Sequence, residues 1–207
     1  MTNQLSLYNG ALRMVGERRL GSLSENREPR RLLDEIWDDG AERFCLEQGM
    51  WAFAKRSIQL DYSPSVEPPF GYIRAFDLPT DFVRTISLCS DPYFQCPLLQ
   101  YSQEAGFWFS DLDTIYVQYV SDDLAYGLDM SLWPETFVQF FSAYLARELG
   151  PRLKNGSDQQ KLEVQYKTML TEARSKDAME SPTKFLPSGS WVNARSRGTY
   201  RKERGIY

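Results

Sequence analysis

Hydrophobic positions recur at helical spacing in four stretches of the chain and at a period of two in the stretch between the second and third. Leu5, Tyr8, Leu12 and Val15 fall on one face of a helix over about 4–16, with Gly16 as its stop. A second helix is predicted over about 27–49. It starts near Asn26 or Glu28, tolerates Pro29 in its first turn, and carries Leu33, Ile36, Trp37, Phe44 and Cys45 on one face as far as Gly49. The third, about 132–150, is capped at or beside Ser131, has Pro134 in its first turn, and is interrupted by Gly150-Pro151. Its broad apolar stripe is Phe137, Phe140, Phe141, Tyr144, Leu145 and Leu149. The fourth, about 157–179, opens on a Ser157/Gln160 capping box and aligns Leu162, Tyr166, Met169, Leu170 and Ala173.

Between them, about 50–120 reads as β structure. Trp51 and Phe53 alternate with Ala52 and Ala54, and Ile58 and Leu60 continue the extended run. In Gly71–Arg84 (GYIRAFDLPTDFVR), Tyr72, Arg74 and Phe76 alternate with Ile73, Ala75 and Asp77 up to Leu78-Pro79. Pro79 lacks an amide hydrogen and pushes Leu78 out of the α region, so the strand ends there. Thr80 or Asp81 then caps a short turn carrying Phe82, Val83 and Ile86. Phe107–Phe109, the turn Ser110–Asp113 and Thr114–Val120 read as strand, turn and strand, with Ile115, Val117 and Tyr119 on one face. The expected class is α+β: an antiparallel bundle of about four helices, a β-hairpin or small-sheet insertion between helices two and three, and an extended C-terminal tail. The division is 1–181 for the body and 182–207 for the tail.

Composition sharpens this in two places. The chain of 207 residues is 14% aromatic, a bias that favours interfaces as well as cores. Its net charge of −4 is unevenly placed: from Ser188 on, Arg195, Arg197, Arg201, Lys202 and Arg204 face Glu203 alone, a local +4 that leaves −8 on the rest. The tail reads as a solvated terminus, as a nucleic-acid contact through phosphate pairing and stacking, or as a peptide that docks into an acidic protein groove. Trp191, Tyr200, Ile206 and Tyr207 speak against the first, because a solvated tail does not need them. The start, MTNQLSLYNG, has no basic region leading an apolar core, so no signal peptide is expected, and no apolar run is long enough for a bilayer.

Candidate chemistry is sparse. The chain has no histidine, which excludes Ser-His-Asp and Cys-His arrangements and the usual zinc sets. The odd count of three cysteines, Cys45, Cys89 and Cys96, fits a reducing compartment, and each reads as a small buried hydrophobe. Asp111 with Asp113, or Asp122 with Asp123, offers carboxylates for a divalent ion or acid–base work, although their place between strands is that of turn residues. No phosphate-binding glycine loop is present. The expectation is no enzyme, no cofactor and no metal site.

Three features in this order carry a resemblance: the helix-to-strand passage GMWAF with Trp51 and Phe53, the stretch FDLPTDFVR with Phe76, Leu78, Pro79, Asp81 and Phe82, and the helix pair beginning LAREL. From about Leu5 to Glu180 the chain resembles the bacteriophage head-to-tail adaptor (connector) family that includes tail tubular protein A. The resemblance implies a structural virion protein at the head–tail junction, assembled in the host cytoplasm. It implies a homo-oligomeric ring, usually of twelve copies, between the portal protein and the next tail component (nozzle, tail or stopper protein). DNA would pass through its channel without sequence-specific binding, and no membrane is involved. In such adaptors a C-terminal extension commonly clasps the portal, a role that would fall here to Trp191, Arg195, Arg197, Tyr200, Arg201, Lys202, Arg204 and Tyr207. The alternative is a small nucleic-acid-binding protein that uses the same basic, aromatic tail.

Overall fold

A computed structural model describes residues 2–153 and 159–180. The expected cap at Ser157 and all of the tail residues named above lie outside the described residues. Within them the protein is mixed α+β, with five α-helices and two small antiparallel sheets. Helix α1 spans Gln4–Val15; Asn3 and Ser6 close a capping box at its start, and Gly16 ends it in a left-handed turn. Helices α4 (Glu135–Leu153) and α5 (Gln159–Glu180) follow the β region. Phe137, Phe140, Phe141, Leu145 and Leu149 of α4 are buried, as are Leu162, Tyr166 and Ala173 of α5.

The expected helix over 27–49 is two helices, α2 (Glu28–Asp38) and α3 (Ala41–Glu47). Gly40 sits between them at φ 92°, a left-handed conformation that costs glycine little and turns the chain. The break lets Leu33 and Ile36 on one helix and Cys45 and Leu46 on the next reach the same core. Gly150-Pro151, by contrast, does not end α4, which runs on to Leu153. Pro151 removes one i→i−4 bond, to the Arg147 carbonyl, but lies in the last turn, so no further turns of helix depend on it, and Leu162 of α5 packs where a side chain at Gly150 would stand. At the other end Pro134 precedes the helix, and its carbonyl accepts from the Val138 amide (3.0 Å). Ser131 is not the cap; its amide and hydroxyl donate to Asp129.

The six strands lie between α3 and α4. Strands β1 (Lys55–Asp61), β6 (Thr114–Ser121) and β3 (Phe82–Cys89) form one sheet in the order β1-β6-β3, and β2 (Arg74–Asp77), β5 (Phe107–Ser110) and β4 (Ser102–Glu104) form the other in the order β2-β5-β4. The strand–turn–strand over 107–120 is therefore not a hairpin, because Ser110–Asp113 carries the chain from one sheet to the other. The two-residue hairpin is β4–β5, turning at Ala105 (φ 49°) and Gly106 (φ 85°). The two sheets share a core of Phe76, Leu88, Trp108, Ile115, Val117 and Tyr119, so the expected inward face of β6 is the observed one. The Trp108 indole N–H donates to the Thr85 hydroxyl within it (3.0 Å).

Two local expectations fail for related reasons. Phe82–Cys89 is a strand, not a turn of helix, and the turn is confined to Pro79–Phe82. Register shifts after Phe82 and after Thr85 let Val83 and Ile86, three apart, face the helical core while Phe82 and Leu88 face the sheet core. Trp51 and Phe53 do not alternate in a strand. A 3-10 turn over Ala52–Ala54 brings both rings to the same side, and the strand starts only at Lys55. Phe137 receives both, with ring centroids 4.9 Å from Trp51, 4.8 Å from Phe53 and 4.9 Å from Trp133. Phe137→Ala should remove about 3–5 kcal/mol of stability with an unchanged denaturant slope in urea unfolding.

Candidate interaction surfaces and the Asp81 hub

The residues of the FDLPTDFVR stretch fall into two groups. Phe76 is fully buried, Leu78 is half-buried against the same core, and Phe82 stands edge-on to Trp108 at 5.2 Å. Pro79 supplies the carbonyl that closes the turn with Phe82. Asp81 does something that no local pattern announced. Its carboxylate accepts from Arg56 of β1 (2.8 Å), from the Tyr119 hydroxyl of β6 (3.0 and 3.1 Å), and from the Ser121 hydroxyl. Arg56 lies over the Tyr126 ring, and its guanidinium is 3.9 Å from Asp123.

Burial by itself would raise the Asp81 carboxyl, but the hydrogen bonds from Ser121, Arg56 and Tyr119 outweigh it and hold the group below the usual carboxylate range. The same contact raises the Tyr119 phenol, through burial first and the neighbouring carboxylate second. The hub extends to the helices. Arg43 of α3 donates to Asp122 (2.6 Å) and to the Phe82 carbonyl (2.8 Å), and the Asp122 amide donates to the Asp81 carbonyl (3.0 Å). This arrangement is a saturated structural carboxylate. Every strong donor around it is already engaged, which leaves it poorly placed to act as an acid or base on a substrate.

The other acidic candidates are bound locally. Asp111 accepts from the Ile73 amide, Asp113 pairs with Arg74, Asp122 pairs with Arg43, and Asp123 accepts from the Ala125 amide. No group of three or more His, Cys, Asp or Glu that could hold a metal occurs among the described residues. Cys45 and Cys89 are buried as expected, and burial pushes the Cys45 thiol well up; Cys96 is exposed, because it closes the loop organised by Asp91 rather than facing a core. No helix among the described residues is long and apolar enough to cross a membrane.

Three surfaces present themselves instead. The connecting segments of the β region expose large apolar side chains, with Phe70, Ile73, Tyr93 and Leu99 all well in solvent and Leu99 92% exposed. An open groove of about 460 Å³ between α1 and α4 is lined by polar groups that include Ser6, Asn9, Arg13, Arg19, Glu135 and Gln139. Of its lining residues Arg13 and Arg19 are exposed and, like Arg18 and Arg31 elsewhere on the chain, make no ion pair among the described residues. The third surface is the outer edge of β1, which pairs with no second strand among the described residues, although the Lys55 amide donates to the Ala52 carbonyl.

Asp81→Asn should lower stability at pH 7 by roughly 1–3 kcal/mol, because it removes a charged acceptor of three donors. The sign with pH follows from the lowered native carboxyl. Its stabilisation is complete above the unfolded value near about 3.9 and is lost as pH falls through the lower native value. The gap between wild type and Asp81→Asn in urea midpoints should therefore close in acid and stay constant toward neutral pH. No protein-family model matches the chain, and no curated protein matches it.

Proposed function

We propose that the protein is a structural head-to-tail adaptor of a bacteriophage virion, with no catalytic role, that forms a ring between the portal and the next tail component. The observation that carries the reading is the placing of a two-sheet unit between α3 and α4, with large apolar side chains exposed on its connecting segments. Exposed apolar groups such as Phe70 and Leu99 have little use on a monomer in solution and suit a surface covered by a neighbour. In this reading the helices form an antiparallel bundle with α4 at its centre. The bundle builds the body of a ring, expected at twelve copies, and the β unit faces the next tail component.

Repetition around a closed ring multiplies weak contacts, so each basic, aromatic tail, from Trp191 to Tyr207, needs to hold the portal only weakly. Excess negative charge on the body suits a channel along which DNA slides, since like charges oppose sticking. A channel wall lined with Lys and Arg in the assembled ring would contradict that part.

Mixing the protein with its neighbouring portal should give rings on the portal in pull-down and negative-stain images. A chain ending at Pro187 should lose them. Rings with both chains would keep the adaptor and remove the tail as anchor, whereas no association with either would end the adaptor reading. A second reading, nucleic-acid binding, is favoured by the exposed arginines 13, 18, 19 and 31, which make no ion pair among the described residues, together with the basic tail. It requires tight DNA binding that falls steeply across a salt series, and absence of affinity at moderate salt removes it.

A further inference from the structure

Of the residues lining the groove between α1 and α4, only Ser142 of α4 is buried. It is 3% exposed, and its hydroxyl makes no hydrogen bond among the described residues. A buried hydroxyl without a partner is costly, and such groups are rare in folded proteins. This one is not sealed in, because among the described residues the Arg30 Nε is the one fully occluded side-chain polar atom that lacks a partner. Opposite it stands Gly10 of α1, where a Cβ would come within 2.6 Å of the Ser142 Oγ. Glycine at this point gives up helix propensity and leaves the approach to the hydroxyl open.

Most other polar groups of the groove are engaged within the protein. The Ser6 hydroxyl closes the cap of α1, donating to the Asn3 carbonyl (2.7 Å) and accepting from the Asn3 amide (3.0 Å). Gln139 donates to Glu135 (3.2 Å). Asn9 donates to the Leu20 carbonyl (3.1 Å) and accepts from the Leu20 amide (2.8 Å), while Arg27 donates to the Arg18 and Arg19 carbonyls (3.2 Å each). These bonds fix the loop that presents Arg19 at the groove. Arg13 lies one turn beyond Gly10 on the same side of α1. The polar side chains left without a hydrogen bond or ion pair among the described residues are Thr2, Arg13, Arg19 and Ser142.

We propose that this groove binds a phosphate group, free or as a small monoester, with Arg13 and Arg19 pairing its charge and the Ser142 hydroxyl donating to one of its oxygens. Three donor groups, from two helices and a loop, suit the several acceptor oxygens of a phosphate, which guanidinium forks meet in bidentate fashion. The groove, about 460 Å³, is larger than the ion alone and leaves room for the body of an ester along Met14 and Val138. Glu135 in the same groove opposes a polyanion. Duplex DNA would bring a row of phosphates past this carboxylate, and its rigid backbone could not lower one onto a hydroxyl as buried as that of Ser142. The proposal stands apart from the adaptor reading, because it concerns the isolated chain and a small ligand.

The test is isothermal titration of the full chain with inorganic phosphate and with glycerol 3-phosphate, at constant ionic strength against a chloride reference. Binding above the reference is expected; the tighter of the two probes tells a free ion from an ester. Ser142→Ala should weaken binding by about five- to tenfold, and Arg13→Gln by at least about tenfold. Glu135→Gln should tighten it by about threefold, since a like charge leaves the groove. Alanine suits a helix, so Ser142→Ala should not lower the melting temperature without ligand, which separates lost binding from lost fold. No binding above the chloride reference overturns the proposal. Binding indifferent to Ser142→Ala also overturns it, by leaving only attraction to surface arginines. Short duplex DNA that binds more tightly at the same salt, and is weakened by Arg13→Gln but not by Ser142→Ala, would assign the arginines to nucleic acid and overturn it as well.

Discussion

Asp81 stands where the sheet β1-β6-β3 meets the helices, and the segments on either side of it depend on what its carboxylate holds. Two of its donors come from β6 and one from β1, so the carboxylate spans the central strand and the edge. Its own backbone carbonyl takes the Asp122 amide, and through Asp122 and Phe82 the same junction takes Arg43 of α3. A half-buried charge is costly unless it is paired and hydrogen-bonded, and here it is both. The junction is thereby specified in direction as well as in burial. Apolar packing alone would let the β unit shift against the helices with little change in covered area.

Around that junction the protein divides its apolar surface into two cores. The helical core is aromatic at its centre, where Trp51, Phe53 and Trp133 converge on Phe137. Arg147 extends it outward by lying over the Tyr144 and Tyr166 rings, 5.2 and 4.3 Å from their centroids. The sheet core is smaller and is closed by Trp108, whose indole N–H is met by Thr85. Val120 at the end of β6 belongs to the helical core, although Ile115, Val117 and Tyr119 belong to the other, so β6 runs through both. A β unit anchored in this way can carry exposed groups such as Phe70 and Leu99 at fixed positions.

Much of this was legible in the sequence, and the failures share a physical origin. The stripes of α1, α4 and α5 follow from local spacing, and so does the inward face of β6. The break at Gly40 was hidden because the residues on both sides keep a helical apolar period. Strand β3 resembled a helical turn because its bulges put Val83 and Ile86 on one side. The pairing of β5 with β2 and β4, rather than with β6, is a long-range choice made by Phe76 and Trp108 sharing one core. Asp81 was marked by its place after Leu78-Pro79, but its partners lie 25, 38 and 40 residues away in sequence, beyond any window of local pattern. Of the candidate surfaces, the exposed loop residues and the exposed arginines required coordinates, since exposure is not a property of residue type.

The adaptor account stands or falls on a fixed number of these chains adding to a portal ring. Native mass spectrometry of the portal mixed with excess protein measures that number directly. The account predicts a complex heavier than the portal by many copies of this 24.0 kDa chain, in one whole-ring stoichiometry with few partial species. A portal mass unchanged by the protein, or raised by a scatter of one or two copies, would contradict it.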